Sequence, residues 1–429
     1  MRYDIAVIGG GPAGYSAAFE AAARGMSVVL FEYGELGGTC LNRGCVPTKY
    51  LAHAAGRYHD AVTCGQDGIS FDGVKLDHNR MVSRMNEIVG SLREGLTGEL
   101  SGKGITVIKG EASVLGAGLV GCGGESFEAS GILIATGSGS SKPLISGAIT
   151  SDELLKLKTI PKKLHILGGG TVAVEFAEIF SMLGSSVTIS VRGERILRGW
   201  DKEIAVSLSR SLKSKGVRIN TGCDLTAIKC GDDETVLSAA GRLPVLPDIA
   251  GGLVEISEDG GIVADENGCT STPGIYAAGD VLSGSLKLAH TSMEQGRRAI
   301  RHIAGENVGP EAVPVRCIYA GQEAASVGCT EAEADNAVSA KQSMLSNART
   351  VISSGERGFV KIVADPKTHR VIGAQLMCER AGDMVPELAL AIDRGLTVDE
   401  MLYSVRPHPS YSEAVTGALR NLSEKIDAL

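Results

Sequence analysis

Residues 4–14 read DIAVIGGGPAG. DIAVIG is a short apolar run of the kind that forms a buried strand, and the glycines after it lead into the helical pattern YSAAFEAAARG, which ends at Gly25. MSVVLFE then reads as a second buried strand. Strand, glycine turn, helix and strand make a β-turn-α-β unit built to hold a dinucleotide. Gly9, Gly11 and Gly14 carry the spacing G-x-G-x-x-G. The first glycine allows the tight turn, the second lets a pyrophosphate approach the backbone, and the third lets helix and strand pack. The positive end of the helix then faces the phosphates. Glu32 closes the second strand, where a carboxylate can accept both ribose hydroxyls. The glycine triplet alone is a weak signal; with strand, helix and terminal acid it is specific.

The same pattern recurs. KLHILGGG at 163–170 gives strand and turn, TVAVEFAEIFSMLG the helix, and SSVTISV the next strand. Gly168, Gly170 and Ala173 form G-x-G-x-x-A, so the chain carries two nucleotide-binding units. Here the second strand ends at Val191 rather than at an acid, and Arg192, Arg195 and Arg198 follow. An acid at that place favours the free 2′-hydroxyl of NAD, whereas arginines favour the 2′-phosphate of NADP. The second site is therefore expected to prefer NADPH; a solvated charge run is the competing reading of the arginines.

The bulk numbers agree with such a fold. At 429 residues the chain is too long for one core, and its 57 glycines with only 4% aromatics suit many close backbone approaches. A net charge of −8 argues against a general binder of nucleic acid or anionic membrane. No segment approaches the roughly 18 apolar residues of a spanning helix, and the N-terminus lacks a signal-peptide pattern. No C-x2-C pair occurs, so no metal site is expected. A cytoplasmic protein is the default. Between the two units lie a polar helical stretch near 75–102 and Gly-rich strands over 105–136 that end in GILIATGS; a similar phrase, GIYAAGD, follows at 274–280. From about 312 the pattern becomes that of an α+β domain with an antiparallel sheet.

GGTCLNRGCVPTK at 37–49 places Cys40 and Cys45 five apart. Ten cysteines make one close pair unremarkable by count. In a reducing compartment, however, such a pair is more often redox-active than structural. Pro47 suits the first turn of a helix running through TKYLAHAAGRY. A thiolate at that helix start is stabilised, so its pKa should fall and its reactivity rise.

GGGPAG, GGTCLNRGCVPTK, ATG, the second glycine turn, AAGD, LAH and RPHPSYSEA stand in the order found in class I pyridine nucleotide–disulfide oxidoreductases, which the chain resembles over essentially its whole length. LNRGC and LAH look most like dihydrolipoamide dehydrogenase; glutathione and mercuric reductases are more distant. The resemblance implies an α/β protein with two Rossmann-like nucleotide-binding domains and a C-terminal α+β dimerisation domain. Its divisions would be 1–150 and 251–310 for FAD, 151–250 for NAD(P), and 311–429 for dimerisation. It implies that Cys45 lies beside the flavin as a charge-transfer thiolate, that Cys40 is the outer interchange thiol, and that Lys49 lies near the flavin and pairs with Glu175. Thr136, Gly137, Asp280 and Ala289 would contact FAD, and Ala112 and Gly241 join the cofactor-binding residues on the same ground. His408 would be the acid–base, charged and oriented by Glu413, and it would reach the thiols of the partner subunit in a homodimer. The other histidines carry no comparable frame and are expected to be surface or core.

The implied reaction oxidises a dihydrolipoyl dithiol and passes the electrons through FAD to NAD(P)+. The dithiol would belong to a lipoyl-bearing protein of a 2-oxo acid dehydrogenase or glycine cleavage complex. No lipoyl domain precedes the first strand, so that substrate is expected on another chain. The alternative is an NADPH-driven reductase of a small disulfide. A non-catalytic flavoprotein scaffold is disfavoured, because Cys40, Cys45, His408 and Glu413 are all in place. The chain also departs from the family. The segment between GVRIN and VLSAAGRLP is short where relatives carry a β-meander, GRLPVLP lacks the usual Asn, and Gln322 replaces an expected proline.

Overall fold

A computed structural model describes residues 2–428. The first sheet starts with β1 (Arg2–Ile8), followed by α1 (Pro12–Ala23) and β2 (Val28–Glu32). Two helices then carry the cysteine motif, α2 (Gly38–Arg43) and α3 (Cys45–Thr63), before the long α4 (His78–Gly102). Four strands follow: β3 (Thr106–Lys109), β4 (Ala112–Gly116), β5 (Leu119–Cys122) and β6 (Glu125–Ile134). β1 pairs in parallel with both β2 and β6, and β3 adds in parallel to β2. β4, β5 and β6 form an antiparallel meander on the other side. Ile5 to Ile8 of β1 are at most 3% exposed, as expected of a strand covered on both faces.

After β7 (Ser138–Ser140) and the short α5 (Ser151–Leu154), the second unit contains β8 (Lys163–Leu167), α6 (Thr171–Met182), β9 (Ser186–Ser190), α7 (Lys202–Ser214), β10 (Arg218–Asn220) and β11 (Thr235–Ser238). Its four strands are all parallel in the order β10-β9-β8-β11. β12 (Arg242–Pro244) then pairs antiparallel with β7. The chain re-enters the first sheet through β13 (Asp248–Ile249), beside β4, and β14 (Ile275–Ala277), beside β6. Helix α8 (Ala289–Ile303) packs on α1. Gly296 allows that contact, since a Cβ there would lie 2.3 Å from the Ala13 carbonyl.

The C-terminal unit holds β15 (Val315–Ile318), β16 (Ala324–Gly328), β17 (Val338–Ser343), α9 (Ala348–Ile352), β18 (Phe359–Ala364) and β19 (Val371–Met377). α10 (Ala381–Arg394), α11 (Val398–Leu402) and α12 (Glu413–Asp427) complete it. Its five strands pair antiparallel in the order β15-β16-β19-β18-β17. The α+β pattern read from 312 onward is thus present, and the mixed α/β architecture matches the expected one.

The packing that matters most for function joins all three parts. Leu51 and Ala55 of α3, Phe176 and Phe180 of α6, and Ile318, Phe359 and Met377 of the C-terminal unit share one buried apolar cluster. Leu51→Ala would cost about 2–5 kcal/mol there. This cluster fixes the cysteine helix against the helix of the second nucleotide unit. Among the described residues no helix is long and apolar enough to cross a membrane.

Candidate active site around the paired thiols

The thiol pair sits at a break between two helices. Gly44 ends α2, and a Cβ there would lie 2.9 Å from the Thr39 carbonyl oxygen, so a larger residue would open the joint. Asn42 tightens the same turn: its amide donates to the carbonyls of Leu36 and Gly38, both at 2.9 Å. Cys45 is the first residue of α3, with Pro47 buried two places on. Both cysteines are free thiols, Cys40 half-buried and Cys45 exposed. The Cys40 thiol donates toward Cys45, which with the Lys49 cation lowers the Cys45 pKa to about 7. The same hydrogen bond and burial hold Cys40 protonated well above the usual thiol range. The pair is therefore polarised, with negative charge favoured on Cys45.

Lys49 lies one turn along α3. Its Nζ is 2.8 Å from Oε2 and 3.0 Å from Oε1 of Glu175, on α6 of the second unit. Glu175 is buried and also accepts the Tyr319 backbone N–H at 2.9 Å. The ammonium stands 4.9 Å from the Tyr319 ring centroid. A cavity of about 260 Å³ opens here, lined by Lys49, His53, Glu175, Met182, Tyr319 and Glu323 among others.

The first glycine turn has the geometry a dinucleotide needs. Gly9 has φ +107°, and a Cβ on it would lie 2.4 Å from the Ala135 carbonyl. A Cβ on Gly14 would lie 1.8 Å from the Gly9 carbonyl. Gly11 faces the opposite situation: among the described residues a Cβ would meet only Gly38 Cα, at 3.8 Å. The turn is closed where helix and strand meet and open where a phosphate would approach, so these residues fit a bound dinucleotide. Glu32 is 8% exposed and accepts the N–H groups of Gly10 and Gly34, at 2.7 and 2.6 Å.

Asp280, which follows the AAG phrase, accepts the Ser138 hydroxyl at 2.6 Å and the Ser292 hydroxyl at 3.4 Å. Arg242 donates through Nε to Ser138 Oγ at 2.8 Å and through Nη2 to Thr39 Oγ1 at 3.4 Å, which ties the β12 segment to the cysteine helix. Gly241 before it has φ +113°, and Gly137 has φ +74°. The Thr136 hydroxyl donates to the Val245 carbonyl. Ala289 opens α8, and Ala112 is buried in the apolar core of the first sheet.

In the second unit Gly168 has φ +131° with the Ala239 carbonyl 2.3 Å from a would-be Cβ, Ala173 is fully buried, and a Cβ on Gly170 would meet no atom of the described residues within 4 Å. The fit to a second dinucleotide is the same. Arg192 and Arg198 are exposed. Arg192 helps hold the Asp224 carboxyl below its usual range, after the hydrogen bonds from Thr226. Arg195 does not belong with them: its guanidinium donates to the carbonyls of Leu197, Arg198 and Trp200 at 3.0 to 3.1 Å, so it braces the loop instead.

His408 Nδ1 lies 2.9 Å from Glu413 Oε1, and the other carboxylate oxygen accepts the Ser410 N–H at 2.8 Å. That backbone bond first, and the imidazole second, hold the Glu413 carboxyl below its usual range. The His408 side chain is 73% exposed, and among the described residues no hydrogen bond joins it to either thiol of its own chain. Sequence reasoning missed Asn42, Ser138, Arg242 and Tyr319, although Asn42 lies inside LNRGC, Ser138 directly follows ATG and Arg242 is in GRLP. The expected change at Gln322 is local: the side chain is buried and donates to the carbonyls of Glu356 and Arg357.

Residues 3–296 match the family described as pyridine nucleotide-disulphide oxidoreductase, and residues 314–419 match the dimerisation domain of the same family. The dihydrolipoyl dehydrogenase of Mycoplasma pneumoniae is 32% identical over 97% of both chains. The mercuric reductase of Bacillus cereus is 32% identical over 100% of this chain and 72% of its own. Among solved structures, LpdA from Mycobacterium tuberculosis superposes with a TM-score of 0.88 at 25% identity, covering 98% of this chain and 99% of the other. The HOCl-induced flavoprotein disulfide reductase RclA from Escherichia coli superposes with a TM-score of 0.86 at 28% identity, covering 97% and 99%.

Proposed function

This chain belongs to the pyridine nucleotide-disulphide oxidoreductase family, and on that premise we propose that it oxidises a dihydrolipoyl dithiol through Cys40 and Cys45. It is a flavin disulfide oxidoreductase, and its match to the dimerisation domain supports a homodimer. FAD in the first site would accept two electrons from the thiol pair, and a pyridine nucleotide in the second would carry them away as hydride.

The residues of the chain act as follows. With Cys40 and Cys45 joined as a disulfide, a substrate thiolate attacks Cys40 Sγ, and Cys45 leaves as the thiolate. The second substrate thiol attacks the substrate sulfur of the mixed disulfide, which releases Cys40 and closes the substrate disulfide. His408 of the partner subunit takes the proton from the substrate, and Glu413 holds that imidazole through Nδ1. Lys49 keeps the charge on Cys45, and Glu175 keeps Lys49 in place. Gly9, Gly11, Gly14, Glu32, Thr136, Gly137, Asp280 and Ala289 hold FAD, with Ser138 and Arg242 ordering Asp280. Gly168, Gly170 and Ala173 hold the pyridine nucleotide.

The observation that carries this reading is the polarised thiol pair beside Lys49, with Cys45 lowered to about 7 and Cys40 raised. The dihydrolipoyl dehydrogenases among its relatives support the dithiol substrate. A second reading has its own support: Val191 stands where an acid would favour NAD and Arg192 follows it, which suits an NADPH-driven reductase of a small disulfide. Steady-state turnover with dihydrolipoamide and with glutathione disulfide, each with both nucleotides, separates the two. The primary reading requires dihydrolipoamide oxidation to be the faster; failure with dihydrolipoamide and turnover of glutathione disulfide would replace it with the second.

A further inference from the structure

One cluster of chemistry-bearing side chains lies outside this site. His165 is in the middle of β8, and its neighbours Leu164 and Ile166 point into the core under α6. Strand alternation turns His165 to the other face of the sheet. That face is covered by the short 221–234 segment between β10 and β11. The segment brings Cys230 and Glu234 onto the imidazole: Cys230 Sγ is 3.6 Å from His165 Nδ1, and Glu234 Oε1 is 3.7 Å from the same nitrogen. One donor atom from each of the three residues lies within 4.8 Å of the others.

We propose that His165, Cys230 and Glu234 form a zinc-binding site. Zinc bonds of about 2.0–2.1 Å to nitrogen, 2.3 Å to sulfur and 2.0–2.2 Å to oxygen, arranged tetrahedrally, set donor atoms roughly 3.4–3.6 Å apart. The two separations to Nδ1 are close to those tetrahedral edges. A partner behind the ring suits a ligating imidazole. His165 Nε2 lies 2.9 Å from Ser190 Oγ; with the ring hydrogen on Nε2 it donates to that hydroxyl, and the Nδ1 lone pair then faces Cys230 and Glu234. Asn220 Nδ2 lies 3.5 Å from the same hydroxyl oxygen.

The imidazole is 9% exposed, while Cys230 and Glu234 are half-buried, so the open side of the cluster faces solvent and a water completes the four. Thiolate with imidazole and carboxylate suits a borderline cation such as zinc better than magnesium or calcium, which prefer all-oxygen shells. Binding would release the Cys230 thiol proton to solvent. Lys163, on the same face as His165, fixes Asp233 at 2.7 Å, which already holds this segment to β8. The metal would fasten the segment at a second point.

The test uses holoenzyme with Cys40 and Cys45 oxidised, so the working thiols cannot take the ion. Cobalt(II) is titrated as a spectroscopic stand-in, and zinc is then used to displace it. Wild type should take one equivalent per chain, with intense tetrahedral bands to the red of flavin absorption that zinc removes. Ser190→Ala should weaken binding roughly 10–100-fold, as loss of a partner behind a ligand does. Cys230→Ser and Glu234→Gln should weaken it by at least that much, with flavin spectrum and metal-free melting temperature unchanged. No stoichiometric binding by wild type, or equal affinity in Cys230→Ser, would overturn the site. Neither readout depends on the physiological substrate.

Discussion

Lys49 Nζ stands 2.8 Å from Glu175 Oε2, an ion pair between the helix that begins at Cys45 and the helix of the second glycine turn. Glu175 is 5% exposed at its side chain and Lys49 35%. A buried carboxylate needs such a partner, and breaking a fully buried pair costs about 3–5 kcal/mol; exposure of Lys49 brings the cost here below that range. The chemical effect should be larger than the structural one. Lys49→Met removes the cation that helps lower Cys45 to about 7, so the Cys45 pKa should rise by about one unit or more. The sign is that of an acid with a depressed pKa: the thiolate persists down to about pH 7 in the wild type and is lost below it. Alkylation rates of the two-electron-reduced enzyme across pH 5–9 give the measurement. An unchanged midpoint in Lys49→Met would remove Lys49 from the thiol chemistry.

His408 is held by Glu413 at 2.9 Å but is 73% exposed in its own chain. His408→Gln should lower turnover of the dithiol about 10²–10⁴-fold, the range for loss of a positioned acid–base, while the Cys45 thiolate still forms. If the histidine serves the partner's thiols, Cys45→Ser and His408→Gln chains should each be inactive alone. Mixed after dissociation and reassociation, they should regain roughly a quarter of the wild-type sites, because one site of each mixed dimer has both intact parts. No recovery on mixing, with mixed dimers shown by mass spectrometry, would place the histidine with its own chain's thiols.

Arg192 is exposed two residues past β9 with Asp224 nearby. If it binds a 2′-phosphate, Arg192→Ala should cut the NADPH-over-NADH ratio of kcat/KM about 10–100-fold, the worth of one charge-assisted contact, and leave NADH turnover nearly unchanged. Arg195→Ala should instead destabilise the loop without changing that ratio, since its donors are spent on three carbonyls. Equal use of both nucleotides in the wild type and Arg192→Ala would contradict the assignment.

How far these features could be read in advance follows from their range along the chain. The glycine turns at Gly9 and Gly168 were legible because positive φ and a Cβ-free approach are demands on single residues. The place of Cys45 at a helix start was legible from Pro47 and the helical run after it, whereas the polarity of the pair comes from the Cys40 thiol and the Lys49 cation. Lys49 and Glu175 lie 126 residues apart, and only family resemblance brought them together. Asp280 and Arg242 meeting at the Ser138 hydroxyl depends on how distant segments pack, and no periodicity records it. Arg195 turning back on carbonyls two to five residues away is local, but an irregular loop has no period to announce it. The His165 cluster was invisible because its members are scattered along the chain and share no C-x2-C spacing.

Electron transfer from Cys45 to a flavin is the step on which the proposed activity depends, and the absorption spectrum of the purified protein reads it out. The spectrum should show bound oxidised flavin, and one two-electron equivalent of a dithiol should add a broad long-wavelength band, present in the wild type and absent in Cys45→Ser. Protein that is colourless and takes up no added FAD, or whose flavin bleaches without that band, would rule out the transfer.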